Sequence, residues 1–167
     1  MTVGNLEVEQ NSLKQKLLRV WQYFSTILGV IFRHPIVAVT VIALNERDEI
    51  VLIQRRDNKK WCCPGGTVDW GESIPDAAKR ELKEETGLLL TSVKVLQGVY
   101  SDPHRDPRLH TICITLIAEV SGAYKVEDVG EVMQVRSFPC NALPLNSMAH
   151  DHALQLQDYL DGKTSRV

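Results

Sequence analysis

Apolar residues run along this chain in three rhythms, and each rhythm predicts a different element. From Ser12 to Phe32, Leu13, Leu17, Val20, Trp21, Phe24, Ile27, Leu28 and Ile31 recur every three or four residues, which lines them along one helix face. Lys14, Lys16 and Arg19 fall on the other side. After a break at His34-Pro35, Ile36 to Leu44 is apolar almost without interruption, as in a strand covered on both faces. Shorter runs predict strands over Glu49 to Gln54, Leu89 to Gln97 and on to Tyr100, Thr111 to Val120, and Val132 to Phe138. Turns are expected at Asn45 to Asp48 and at Gly122, and a terminal helix over Met148 to Leu160. His150 and His152, two apart, cannot share a helix face and are expected as exposed polar positions, not ligands. Met1 to Asn11 is polar, lacks a secretory leader pattern, and is expected to be a short disordered arm.

One stretch breaks these rhythms with charge. Ser73 can cap a helix, Pro75 suits its first turn, Asp76 favours its positive end, and Gly87 is a natural stop. Within that helix Ala77, Ala78 and Leu82 supply a buried side, with the stem of Lys79. Glu81, Glu84 and Glu85 lie at i, i+3 and i+4, so three carboxylates sit on or beside the opposite face. Such a face repels itself unless a cation lies among the charges, and carboxylate oxygens are the ligands that Mg²⁺ or Mn²⁺ prefers. A solvated face of surface glutamates is the plainer reading of the same residues. Just before it, Cys63-Pro64-Gly65-Gly66 is a turn whose glycines let backbone approach a ligand closely.

Composition narrows the partners. The chain has 167 residues, 44% of them hydrophobic, enough for one domain with a real core. A formal charge of -2 argues against a broad nucleic-acid surface, so an anionic substrate would be met by a metal and a few local basic groups. Cys62, Cys63, Cys113 and Cys140 show neither a C-x-x-C pair nor metal-ligand spacing; reduced thiols in core positions, in a cytoplasmic protein, are the expectation. About thirteen mostly apolar residues lie between Arg19 and Arg33, short of the roughly twenty that cross a bilayer. Packing on the domain or on a second copy in a homodimer, or peripheral contact with a membrane surface through Trp21, Tyr23 and Phe24, are the open readings of that helix.

Candidate substrate contacts gather in two places. Arg55 and Arg56 end the second strand and could hold phosphate or sit in solvent. Ser101 to His110 packs two prolines, two arginines, two histidines and two aspartates into a stiff charged loop with nothing to bury. Arg105 and Arg108 are phosphate or ribose candidates there, and Tyr100 could stack a base. Trp61 is read as packing rather than as a stacking platform.

Written out, Gly66-x5-Glu72-x7-Arg80-Glu81-Leu82-x-Glu84-Glu85-x-Gly87-Leu88 resembles the full Nudix box, with no departure at any defined position. The resemblance implies an α/β/α sandwich with a mixed central sheet over Ile36 to Leu160, and leaves the N-terminal helix outside. The division expected is 1–33 for the arm and helix, 34–162 for the hydrolase domain and 163–167 for a tail. The resemblance also implies metal ligation by Glu81, Glu84, Glu85 and the Gly65 carbonyl, with Arg80 orienting the carboxylates and Glu72 as its partner. Glu131, just before the last strand, takes the place of a family glutamate that completes the metal site or acts as base. Either Glu84 or Glu131 would take the proton, and the sequence does not choose. Ser137 stands where the family often has Trp.

The segment Ser101-Asp102-Pro103-x-x-Asp106-Pro107-Arg108 resembles loops of the ADP-ribose pyrophosphatase branch, with Pro103 about fifteen residues beyond the box. That adds Asp102, Pro103 and His110 to the substrate candidates. It implies Mg²⁺-dependent hydrolysis of a nucleoside diphosphate joined to another group, ADP-ribose to AMP and ribose 5-phosphate. Two rivals stand beside it: a sanitising hydrolase of oxidised nucleoside triphosphates, and a nucleotide-binding sensor without turnover.

Overall fold

The computed structural model describes residues 3–32 and 34–164, with side chains in the first helix described from Lys14 to Gly29. The chain divides into two compact units, Met1–His34 and Pro35–Val167. In the first, helix α1 spans Val3–Phe32. It begins well before Ser12, so the disordered arm expected up to Asn11 is helical from Val3; Met1 and Thr2 lie outside the described residues. Leu17, Val20, Trp21, Phe24 and Ile27 are exposed on it. Among the described residues no helix is long and apolar enough to cross a membrane.

The second unit is built on a mixed sheet of seven strands: β1 Ile36–Leu44, β2 Ile50–Arg55, β3 Trp61–Cys62, β4 Gly65–Thr67, β5 Leu89–Tyr100, β6 Thr111–Ser121 and β7 Val132–Phe138. The central path runs β3-β2-β1-β6-β5, with β4 on β1 and β7 on β2. Among the described strands β1 and β6 are the parallel pair, in register from Ile36 with Thr111 to Leu44 with Glu119. A parallel pair needs a long crossover, and α2 (Ile74–Thr86) lies in it. The tiny strands β3 and β4 flank Cys63 and Pro64, and β4 takes in Gly65 and Gly66 of the turn expected at Cys63 to Gly66. Two residues of pairing on β2 and three on β1 are too short to leave an apolar period.

Strand β1 shows why its sequence is continuously apolar. Val39, Val41 and Ala43 face a cluster with Ala77, Ala78 and Leu82 of α2, while Ile42 and Leu44 face a second cluster with Met148 and Leu156. Each face is covered by a helix, α2 on one side and α3 (His152–Leu160) on the other, giving an α/β/α sandwich. The cover does not reach its start, where Ile36 and Val37 are exposed.

Helix α2 is set by its ends. Ser73 accepts from the Asp76 N–H, Pro75 sits in the first turn, and Gly87, at φ 78°, donates its N–H to the Lys83 carbonyl. Leu82 is fully buried, worth about 2 kcal/mol or more in apolar transfer. Helix α3 starts at His152 rather than Met148. Two short 3-10 turns at Cys140–Ala142 and Leu145–Ser147 precede it, and Met148 bridges to Trp61 instead of entering the helix.

Candidate active site

Both sandwich helices reach one cleft of about 490 Å³ at the β1–β4 end of the sheet. Helix α2 contributes Glu81, Glu84 and Glu85, and the segment before β7 adds Asp128 and Glu131. Arg55 from β2, Arg105, Asp106 and Arg108 from the 101–110 loop, and His150 and His152 from the entry to α3 complete it.

The acidic side is held by backbone and by one arginine. Glu85 is almost completely buried and its Oε2 accepts the Gly65 N–H at 2.8 Å. Burial pushes its pKa up to about 8, the Gly65 N–H opposes that, and the charges of Glu81 and Glu131 add to it. Burial also raises Glu81, against the pull of Arg80. A Cβ on Gly66 would lie 2.3 Å from Glu81 Oε1, so only glycine lets this carboxylate lie against the turn.

Arg80 ties four groups together. Its Nε and Nη2 donate to Glu72 at 3.0 and 2.9 Å, Nη1 to Glu81 at 2.8 Å and more distantly to Glu84 at 3.5 Å, and Nη2 to the Thr67 carbonyl. Glu72 hydrogen bonding to Arg80 lowers its pKa, and the same bonds raise that of the guanidinium. Neither Arg80 nor Glu72 lines the cleft; both act on groups that do. Glu84 and Glu131 are the more open carboxylates, 46% and 62% exposed at the side chain, and Arg55 lies 3.8 Å from Glu131.

Among the described residues no three acidic or imidazole groups already converge as a closed metal cage. The donor set nevertheless suits a divalent cation: hard carboxylate oxygens border one cleft, and two of them are driven toward the neutral form by burial. A cation among them would remove that penalty.

The basic side differs from the expectation. Arg105 is buried in a two-pronged pair with Asp151, at 2.8 and 2.7 Å, and also donates to Thr111. Arg108 grips Asp106 through Nε and Nη2 at 3.1 and 2.9 Å, half-exposed at the cleft. The loop therefore does bury charge: Asp106 is buried, which raises its carboxyl, but the Arg108 bonds outweigh this and hold it down at about 2.

Several candidates lie elsewhere. The Tyr100 ring is buried and its hydroxyl donates to Asp158 at 3.2 Å, so it offers no face to a base. Arg56 turns back on the Val129 and Val132 carbonyls, leaving Arg55 as the cleft arginine of that pair. Asp102 accepts the His104 N–H, and the His110 carbonyl accepts the Ile36 N–H. Asp102, Pro103 and His110 are exposed and do not line the cleft.

His150 and His152 reverse the expectation of exposed polar positions: His152 is buried, His150 half-buried, and both line the cleft. Spacing could not find them, because His150 precedes α3 and His152 is its first residue, so no helical face relates the two.

The cysteines are unbridged, three of them buried, and burial raises the thiols of Cys62, Cys63 and Cys113 away from reactivity. Trp61 packs edge-on against Phe138 at 4.9 Å, and Ser137 donates to Glu49 at 2.6 Å.

Comparison with known proteins agrees with this arrangement. An ADP-ribose pyrophosphatase of Methanocaldococcus jannaschii is 40% identical over 136 residues, covering 80% of this chain and 78% of the relative. A putative 8-oxo-dGTP diphosphatase of Bacillus subtilis is 35% identical, covering 73% and 78%. In fold, an ADP-ribose pyrophosphatase from Streptococcus suis superposes with a TM-score of 0.65 at 23% identity, covering 80% of this chain and 98% of the other. The NUDIX domain model matches residues 34–159, and with the carboxylate helix and its arginine clamp in place, the chain belongs to the Nudix hydrolase family.

Proposed function

We propose that this Nudix hydrolase cleaves the diphosphate of a nucleoside diphosphate joined to a sugar, ADP-ribose being converted with one water to AMP and ribose 5-phosphate. The observation that carries this reading is the meeting in one cleft of four glutamates with the guanidinium groups of Arg55 and Arg108. A diphosphate needs both: carboxylates to hold its metal, cations to hold its free oxygens. The choice of ADP-ribose is supported by the name of the 40% identical relative.

Glu81, Glu84 and Glu85, with the Gly65 carbonyl, would hold Mg²⁺ or Mn²⁺. When bound, such an ion neutralises the diphosphate and lowers the pKa of water. Arg80 keeps Glu81 and Glu84 aimed at the cleft while Glu72 holds Arg80. Arg108 and Arg55 orient the diphosphate by charge-assisted bonds. Glu84 or Glu131 takes the proton of the attacking water, and both border the cleft with solvent access.

The test is product analysis of the purified chain with Mg²⁺ or Mn²⁺ against ADP-ribose, NADH, diadenosine polyphosphates, nucleotide sugars and 8-oxo-dGTP. Preference for ADP-ribose with AMP as product supports the reading. Preference for 8-oxo-dGTP would instead favour the sanitising activity named for the Bacillus relative, and binding of ADP-ribose without turnover would overturn hydrolysis altogether.

A further inference from the structure

The α3 side of the cleft carries two features that cost stability and that packing does not explain. His152 is 9% exposed, and its Nδ1 is buried with no hydrogen-bond partner among the described residues. A buried polar nitrogen is ordinarily paired, because burial strips its water and returns nothing. Beside it, His150 holds φ at 49°, a left-handed conformation that non-glycine residues rarely adopt outside sites where the surroundings enforce it. The two rings lie 6.1 Å apart and both border the cleft.

The surroundings enforce both. Asp151, between the histidines, is clamped by buried Arg105 and by Gln155 Nε2 at 2.9 Å. His150 Nε2 lies 3.2 Å from Arg108 Nη2, and its Nδ1 3.7 Å from Asp106. So a rigid ion pair sits between two imidazoles that line the cleft, one of them with a buried, unpaired ring nitrogen.

We infer that His152, with His150 beside it, is a specificity-determining subsite for the sugar hydroxyls of the group joined to the diphosphate. The chemistry selects hydroxyls over the alternatives. Burial lowers both imidazoles below the ordinary histidine pKa, His152 to about 4; at His152 Asp151 opposes this while His150, Arg105 and Arg55 add to it, and at His150 Asp106 opposes it while Arg108, Arg55 and Arg105 add to it. Both rings are neutral near pH 7, so they suit an uncharged polar group and leave phosphate to Arg108 and Arg55. A hydroxyl donates as readily as it accepts and therefore satisfies either imidazole tautomer. No Phe, Tyr or Trp ring is among the described residues that line the cleft, so a base entering here would have only imidazole and guanidinium planes to stack on.

This inference rests on the proposed hydrolysis of a diphosphate joined to a sugar, and it is tested in the full chain with Mg²⁺. Kinetics on ADP-ribose, and inhibition by each product separately, are compared for wild type, His152→Leu and His152→Gln. His152→Leu is expected to raise KM about tenfold with kcat within about threefold, and to weaken inhibition by ribose 5-phosphate but not by AMP; Gln, which can hydrogen bond, recovers part of both. The melting temperature of His152→Leu without ligand is expected to equal or exceed wild type, since the substitution removes an unpaired buried group.

A lower melting temperature with unchanged KM makes His152 a packing residue and overturns the inference. A shift in AMP inhibition instead assigns these histidines to the nucleoside and overturns it too. Wild type that hydrolyses ADP-ribose beside an unaltered His152→Leu enzyme defeats this inference alone, whereas wild type inactive on ADP-ribose defeats it together with the proposed function.

Discussion

The acidic and basic sides of the cleft are built on different length scales. Glu81, Glu84, Glu85 and the Arg80 that ties the first two come from six consecutive residues, and their partners Gly65, Thr67 and Glu72 lie within 20 positions. Helical periodicity alone brings them together. The other side draws Arg55, Arg105 and His152 from across the chain, and its main tie, Arg105 with Asp151, joins residues 46 apart. A single helix carries the carboxylate face, while the opposite side of the cleft is assembled by the fold. The contrast bears on which substitutions should abolish chemistry and which should retune it.

The largest separation is expected from Glu85→Gln. It leaves α2 intact but removes a carboxylate at the cleft floor, so hydrolysis should fall on the order of 10³-fold while the metal-free protein melts no lower. Rates and melting curves on the same preparation check both; retained activity would remove Glu85 from the site. Arg105→Ala should do the reverse, costing about 3–5 kcal/mol of stability by stranding Asp151 in a buried position. Denaturant unfolding reads this directly, and a cost under about 1 kcal/mol would show the pair to be no more than a surface bridge.

pH should divide the two sides as well. The carboxyl of Glu85 is raised from 4.5 to about 8, so below its ordinary pKa it is protonated folded or unfolded and nothing is lost. As pH rises from about 4.5 through about 8 the unfolded chain releases the proton first, and metal-free protein loses on the order of a few kcal/mol. Melting in chelator should decline over that window, and the gain from added Mg²⁺ should widen; parallel curves with and without Mg²⁺ would contradict it.

A smaller effect is expected from Arg80→Ala, a loss of about 10–100-fold in activity through misaimed carboxylates. The smallest belongs to Arg56→Ala, because its guanidinium bonds to the backbone carbonyls of Val129 and Val132; kcat/KM should stay within about twofold and stability within about 0.5 kcal/mol.

Legibility followed the same divide. The strand β1, the caps of α2 at Ser73 and Gly87, and the Arg80–Glu72 pairing were readable because each follows from neighbours a few residues away. The partner of Tyr100 was not readable, because an aromatic at a strand end looks the same whether its hydroxyl meets solvent or, as here, Asp158, 58 residues on. Arg55 ends β2 and Arg56 opens the turn after it, so which of the two faces the cleft depends on how the chain leaves the strand rather than on spacing. The start of α3 was misplaced because Met148 is apolar in either role. Its bridge to Trp61 removed it from the helix.

The sequence by itself determined the acidic side of the cleft: a helix whose i, i+3, i+4 positions are glutamates, a glycine turn before it, and the arginine that pairs with two of them. Local geometry leaves those residues little choice of neighbour. Only the tertiary structure decided what the cleft presents to the rest of a substrate. That side depends on which of several arginines is consumed by a buried aspartate, and on a helix entry that turns two histidines inward, and such pairings are chosen by packing across the whole domain rather than by spacing along the chain.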